Sequence, residues 1–270
     1  MKFEGSAVVI TGAGSGIGAA LAKRATKLGA KVCVSDLDGD KAQAVADEIG
    51  GIAMQCDVRD EAQIQNLISE ASKAHGDTDI YVSNAGLGGG DPTHAASQSD
   101  EMWTLNWQVH VMSHVYASRA LLPMMIERGS GHLVNVASAA GLLNQIGDAA
   151  YSATKHAAVS FADSLAITHG DDGIGVSVVC PQYVATPLIG LDESDARDSD
   201  TLLSADEVAN VVLQAVSERR FLVLPHPDVA RYAEFRAKDH DAWIEGMRKL
   251  RRRAEAGFGR VDPKDFYKLV

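Results

Sequence analysis

Ala7-Val8-Val9-Ile10-Thr11-Gly12-Ala13-Gly14-Ser15-Gly16-Ile17-Gly18 is the stretch that decides the fold. Its first half is an apolar, largely β-branched run, the pattern of a parallel strand buried on both faces. Its second half spaces glycines at 12, 14, 16 and 18 ahead of a helical pattern that reaches Leu28 and stops at Gly29. Glycine lets the backbone turn tightly and approach an anion, and the amides of a helix N-terminus stabilise negative charge. A glycine-rich turn alone could be a plain tight turn. Between a strand and a helix near the N-terminus it predicts a dinucleotide-binding turn, with Gly12, Ser15, Gly16, Ile17 and Gly18 as contacts.

Strand-like runs recur at 31–35, 52–56, 79–83, 133–137, 174–180 and 220–224. Helical patterns lie between them at 41–49, 60–74, 98–127 with an interruption at Pro123, and from Tyr151 to His169. Ser204-Ala205-Asp206-Glu207 reads as a capping box opening another helix, after a polar loop at 190–201. Residues 228–256 are charged and helical in character. Strand alternating with helix about every thirty residues predicts an α/β fold, a doubly wound parallel sheet of about seven strands with helices on both faces. Residues 1–270 then form one dinucleotide-binding domain, with 187–218 as a substrate loop or lid and 226–270 as a helical C-terminal extension. Ligands of such sheets bind beyond the carboxyl ends of the strands. The glycine turn, Asn84-Ala85-Gly86, Ser138 and Pro181 all fall at that edge.

Asp36 ends the second strand, where a carboxylate can accept from ribose hydroxyls and would repel a 2′-phosphate. Neither Ser15 nor Leu37 offsets its charge, so NAD is preferred to NADP. Asp57, with Val58 after it, could accept from the adenine amino group, or serve only as an aspartate approaching a helix. A net charge of −11 argues against nucleic acid or an anionic membrane as main partner. No apolar run approaches a membrane span and the start has no signal-like apolar core, so a cytoplasmic protein is expected. Cys33, Cys56 and Cys180 share no ligand-like spacing and read as free buried thiols. The basic run at 248–253 reads as a solvated helix face or subunit contact.

Tyr151 and Lys155 stand four residues apart in a helical stretch, one turn apart on one face, so an ammonium can approach the phenol and favour its ionised form. Together, TGxxxGxG at 11–18, Asn84-Ala85-Gly86, Asn106, Ser138 and YxxxK at 151–155 resemble the short-chain dehydrogenase/reductase family over about residues 5–225. The resemblance implies a Rossmann fold and hydride transfer with a nicotinamide cofactor. It implies that Tyr151 is the acid/base, that Lys155 lowers its pKa and binds the nicotinamide ribose, and that Ser138 orients the substrate oxygen. It implies that Asn106 holds a water or backbone group in a proton path behind Lys155. It further implies that Pro181, Val184 and Thr186 meet the nicotinamide, with Val184 backbone groups and the Thr186 hydroxyl reaching its carboxamide. Relatives commonly form dimers or tetramers through their long helices, so a homo-oligomer is expected, with 98–127 as its surface.

Two positions depart from the family pattern: Ser83 stands where a first asparagine is usual, and Gln182 where a glycine usually approaches the nicotinamide. His110 and His114 have a zinc-compatible spacing but lack an accompanying carboxylate base and third ligand, so packing or an intersubunit contact is expected and no metal. Trp103 and Trp107 read as core or interface anchors. The pocket wall at 87–91, 139–146 and 183–191 is mostly apolar, with Gln145, Gln182 and His94 as scattered polar groups and Leu188 among the apolar ones. A small apolar secondary alcohol or ketone, in contact with Ser138, Gln145, Gln182 and Leu188, is therefore the expected substrate. A non-catalytic NAD sensor or scaffold, and an NADP-dependent 3-oxoacyl reductase, are the alternatives.

Overall fold

In the computed structural model, which describes residues 1–196 and 201–269, the chain alternates strand and helix from its start. The strands in order are β1 (Ala7–Thr11), β2 (Lys31–Asp36), β3 (Ile52–Gln55), β4 (Ile80–Ser83), β5 (Gly131–Val136) and β6 (Ile174–Val179). A small parallel pair follows, β7 (Tyr183–Ala185) with β8 (Leu202–Ser204), before β9 (Leu222–Val223) completes the main sheet. The helices are α1 (Gly16–Lys27), α2 (Gly39–Ile49), α3 (Glu61–His75), α4 (Asp100–Trp107), α5 (Ser113–Arg128), α6 (Ala149–His169), α7 (Glu193–Ala196), α8 (Ala205–Ser217), α9 (Asp228–Lys238) and α10 (His240–Phe258).

All seven main strands run parallel, in the order β3-β2-β1-β4-β5-β6-β9. The chain builds outward from β1 to β3, then returns to place β4 on the other side of β1. That reversal opens a crevice beyond the ends of β1 and β4. Strands β1, β4, β5 and β6 are buried along their whole length. One face of the sheet carries α1, α2 and α8 over Ile10, Val34, Val82 and Val134; the other carries α3, α5 and α6 over Val9, Tyr81, Leu133 and Val178. Each fully buried aliphatic such as Leu21 or Ile64 contributes about 2 kcal/mol relative to exposure.

Local chemistry sets the helix ends. Asp38 accepts from the Lys41 amide, Asp60 from that of Ala62, and Asp148 from that of Tyr151. Ser204 and Glu207 form the reciprocal capping box at α8. Gly50 and Gly129 end α2 and α5 in left-handed conformations with φ of 67° each.

Three features differ from the sequence reading. Pro123 sits inside α5 without interrupting it; it and Arg119, whose carbonyl loses its helical donor, are both on the exposed face, where water can replace the missing bond. The irregularity falls instead at Gln108–Met112, which winds as a π-helical turn between α4 and α5. The stretch 187–218 divides in two among its described residues: Pro187, Leu188 and Ile189 line the crevice, while Val208, Val212 and Val216 bury α8 against α1. Positions 197–200 of the polar loop lie outside the described residues. The basic run at 248–253 lies on α10, where Arg248 and Arg252 pair with Glu245 and Arg251 with Glu255. Among the described residues no helix is long and apolar enough to cross a membrane.

Candidate active site

The crevice is a cleft of ≈ 930 Å³ running from Asp36, Leu37 and Arg59 at one end to Gln145, Tyr183, Leu188 and Asp262 at the other. That is near the upper end for small-molecule and cofactor pockets.

At the first end the glycine turn is pressed against the β4 loop. A Cβ on Gly12 would stand 2.7 Å from Ala85 Cα, and one on Gly18 would stand 2.4 Å from the Gly12 carbonyl oxygen. Gly12 and Gly16 also adopt φ of +61° and +53°, in the region that favours glycine. Ser15 precedes α1 without a side-chain cap, so the amides of the first turn, on the cleft-lining Gly16 and Ile17, are left for another acceptor. The Asp36 carboxylate accepts from the Gly14 amide at 2.9 Å and the Asp38 amide at 3.0 Å, which seats it at the edge of the turn. Asp57 also lines the cleft, but its carboxylate is paired with Arg59, Nε to Oδ1 at 2.9 Å; that contact holds its pKa below the usual range. Val58 lines the cleft beside them.

Asn84 is turned toward the protein. Its Nδ2 donates to the carbonyls of Thr11 at 2.9 Å and Gly12 at 3.0 Å, while Thr11 Oγ1 accepts from the amides of Asn84 and Ala85. Asn84 thus ties the ends of β1 and β4 together, and Ala85 and Gly86 form the floor of the cleft.

Ser138, Tyr151 and Lys155 meet in the middle. Ser138 stands beside the Tyr151 phenol, where it favours the ionised form, and its Oγ accepts from the Ala140 amide at 3.1 Å. Lys155 is buried, with Nζ 5.5 Å from the Tyr151 ring centroid and donating to the Val136 carbonyl at 3.1 Å. Burial pushes the Tyr151 phenol up to about 12, against the lowering by Ser138, and brings Lys155 down to about 8. The reading that Lys155 lowers the phenol's pKa therefore meets a stronger opposing effect in the protein alone.

Asn106 is buried one turn before the part of the helix that reaches the site. Its Nδ2 donates to the Met102 carbonyl at 2.9 Å, and its Oδ1 has no protein partner. The side chain that this helix does present to Tyr151 is His110, at 5.3 Å between ring centroids and 87° between planes. His110 read in the sequence only as half of a histidine pair, because the π-helical turn that orients it leaves no signature in residue spacing. His114 is buried, and burial brings it down to about 3.

At the second end, Pro181 and Gln182 follow β6. The Gln182 amide donates to His226 Nδ1 at 3.1 Å and His226 Nε2 donates to the Tyr183 carbonyl at 3.0 Å, so a histidine before α9 pins this loop. The Gln182 and Thr186 side chains line the cleft with Val184, and Thr186 Oγ1 donates to the Val184 carbonyl at 3.2 Å. Tyr183 OH donates to Gln145 Oε1 at 3.4 Å. The C-terminal segment packs here within the same chain: buried Phe266 and Val261 join Ile146 and Tyr183 in a small apolar cluster. Arg236 donates to the Leu142 carbonyl at 2.8 Å. Asp262, at the cleft edge, and Asp148, the α6 cap, were not singled out in the sequence, since an aspartate near a helix start or chain end carries no site signal of its own.

A dinucleotide fits this donor set: uncapped helix amides beside glycines that admit close approach, an acidic residue at the turn's edge, and a buried lysine beside a phenol. Comparison with known proteins agrees. The family model for short chain dehydrogenase matches residues 6–196. The 1-deoxy-11-beta-hydroxypentalenate dehydrogenase of Streptomyces exfoliatus is 35% identical over 254 residues, covering 90% of each chain. A short-chain dehydrogenase/reductase from Burkholderia phymatum, solved with NAD, superposes with a TM-score of 0.82 at 30% identity, covering 90% of this chain and 96% of that one. A 3-ketoacyl-(acyl-carrier-protein) reductase from Brucella melitensis, solved with NADH, gives a TM-score of 0.76 at 32% identity over 83% of this chain and 99% of that one. With its parallel Rossmann sheet, glycine turn and Tyr151-Lys155 pair, the chain belongs to the short-chain dehydrogenase/reductase family of nicotinamide-dependent oxidoreductases.

Proposed function

We propose that the protein interconverts an uncharged, mostly apolar secondary alcohol and its ketone with NAD as cofactor. The observation that carries this reading is the convergence of Ser138, the Tyr151 phenol and buried Lys155 in the middle of the cleft, with Lys155 Nζ 5.5 Å from the Tyr151 ring centroid. Gly12, Ser15, Gly16, Ile17 and Gly18 would hold the pyrophosphate, Asp36 the adenosine ribose, and Lys155 the nicotinamide ribose. Asp57 and Val58 would flank the adenine, and Asn84, Ala85, Gly86, Pro181, Val184 and Thr186 the ring side. When bound, the oxidised nicotinamide supplies the hydride acceptor and a positive charge.

In the oxidising direction Ser138 donates a hydrogen bond to the substrate oxygen, Tyr151 takes the hydroxyl proton as the carbon is oxidised, and Lys155 stabilises the phenolate. In reduction Tyr151 returns that proton. A protein that only sensed the cofactor would have no need to aim Ser138 and Tyr151 at one point. Asn106, whose Oδ1 has no protein partner, would hold a water or a backbone group in a proton path behind Lys155.

Two features support the cofactor and substrate. Asp36 brings negative charge where a 2′-phosphate would lie, and Arg59, the cation lining that end, is already paired with Asp57. The lining at the substrate end offers Leu87, Tyr183, Leu188 and Ile189 with the amides Gln145 and Gln182, and its ionisable groups other than Lys155 are acidic or phenolic. Among the described residues, a substrate carboxylate or phosphate would find no cation there besides Lys155 to neutralise it. The first part of 187–218 and the 226–270 extension act in this reading as the wall over the substrate. Assembly into a dimer or tetramer through α4 and α5 is part of the same reading, with Trp107, 48% exposed, available for it.

The test is a panel of cyclic and open-chain secondary alcohols offered with NAD and, separately, NADP at alkaline pH, read by reduced-cofactor absorbance. Turnover of uncharged alcohols with NAD supports the reading. Turnover with NADP alone, or of charged alcohols alone, contradicts it.

A further inference from the structure

His110 is fully buried at the centre of the π-helical turn, and every polar atom of its ring is engaged. The Leu87 amide donates to Nε2 at 3.2 Å. A backbone N–H can only donate, so Nε2 carries the lone pair and the ring proton is on Nδ1. Nδ1 then donates to Thr154 Oγ1 at 3.0 Å, and the Thr154 hydroxyl donates toward the carbonyls of Ala150 at 2.9 Å and Tyr151 at 3.0 Å. The same ring stands edge-to-face with the Tyr151 ring. Burial, with the Lys155 ammonium nearby, keeps the imidazole neutral, the state that this donor-acceptor arrangement requires.

The groups that His110 joins belong to opposite sides of the site. Leu87 lies in the loop after β4 that forms one wall of the cleft; Thr154 and Tyr151 lie in the first turns of α6. An ordinary helical turn advances about 100° per residue, and a π-helical turn interposes an extra residue that re-aims the side chain within it.

We propose that His110 is a positioning residue for this reaction: a neutral imidazole strut that locks the Leu87 wall of the substrate cleft to the Tyr151 ring. The proposal rests on the reading of Tyr151 as acid/base, and it differs from simple packing in what it demands. Packing needs a ring of this size; the strut needs an acceptor at one end and a donor at the other.

The experiment compares His110→Phe, which keeps a ring but no hydrogen bonds, with His110→Gln, whose side-chain carbonyl can reach the Leu87 amide, and with Thr154→Val. Amide exchange at Leu87 is followed by NMR, and kcat and KM are measured with NAD and the alcohol of the panel that turns over fastest. His110→Phe is expected to stay folded, to bind NADH nearly as before, to exchange Leu87 faster, and to lose about tenfold or more in kcat with a raised KM. His110→Gln should restore Leu87 protection and most of KM. Thr154→Val should lower kcat, and its effect should not add to that of His110→Phe, because the two remove one shared bond. Unchanged Leu87 exchange in His110→Phe, wild-type kinetics in that variant, or no recovery in His110→Gln overturns the proposal. Tyr151→Phe is run alongside: full turnover there defeats the acid/base reading itself, whereas an inactive Tyr151→Phe with a wild-type His110→Phe defeats only the strut.

Discussion

Lys155 lies over the Tyr151 ring, Nζ 5.5 Å from its centroid, while anchored to the Val136 carbonyl at 3.1 Å. The Val136 carbonyl thus fixes a positive charge near the phenol. Ser138, beside the phenol, favours its ionised form. In the protein alone, burial outweighs the lowering by Ser138 and leaves the phenol at about 12, and burial brings the ammonium to about 8. Added positive charge in the cleft would favour the phenolate against the effect of burial.

The depressed Lys155 pKa has a consequence for stability. Its folded value, about 8, lies below its ordinary value of 10.5, so the unfolded chain binds more protons between those limits. Unfolding free energy contributed by this group must then rise as pH increases from about 8 toward 10.5. Comparing wild type with Lys155→Met by denaturant unfolding at pH values near 7.5 and 10.5, the difference should move in favour of wild type by about 3 kcal/mol. A difference independent of pH would mean that Lys155 is not desolvated.

Asp36 should set cofactor choice. Asp36→Asn keeps an oxygen for the Gly14 amide but removes the charge that opposes a 2′-phosphate. Affinity for NADPH relative to NADH, measured by fluorescence titration, should rise by about tenfold or more, equivalent to about 1.4 kcal/mol. An unchanged ratio would place the selectivity elsewhere.

Phe266 plugs the apolar cluster beneath Tyr183 and Ile146 from the C-terminal segment. Phe266→Ala should cost about 3 kcal/mol of local stability and loosen the loop behind Gln182. The expected kinetic signature is a raised KM for the alcohol with NADH affinity nearly unchanged. Equal loss of both would mean that the segment supports the whole fold and not the substrate end.

Much of this architecture was legible in the residues. The β1 apolar run and glycine turn and the Ser204-Glu207 box each act through nearest neighbours, so their spacing carries their structure. The doubly wound parallel sheet followed from the alternation of strands with helices. Pro123 misled because a proline's cost depends on whether the freed carbonyl is exposed, which spacing does not show. Asn106 and His110 lie on the same helix one turn apart, and which of them faces Tyr151 depends on the π-helical turn between α4 and α5. His226, Arg236 and Phe266 reach the cleft's loops from 40 or more positions away, through tertiary packing that no local pattern encodes.

The most direct measurement of the account is Tyr151→Phe, assayed for NADH binding by fluorescence and for alcohol oxidation with NAD. Removing one hydroxyl from the ring should leave cofactor affinity within about threefold and lower kcat by about 10³-fold or more, since the proton acceptor is gone while the cleft remains. Turnover close to wild type in a folded variant that binds NADH would contradict the account.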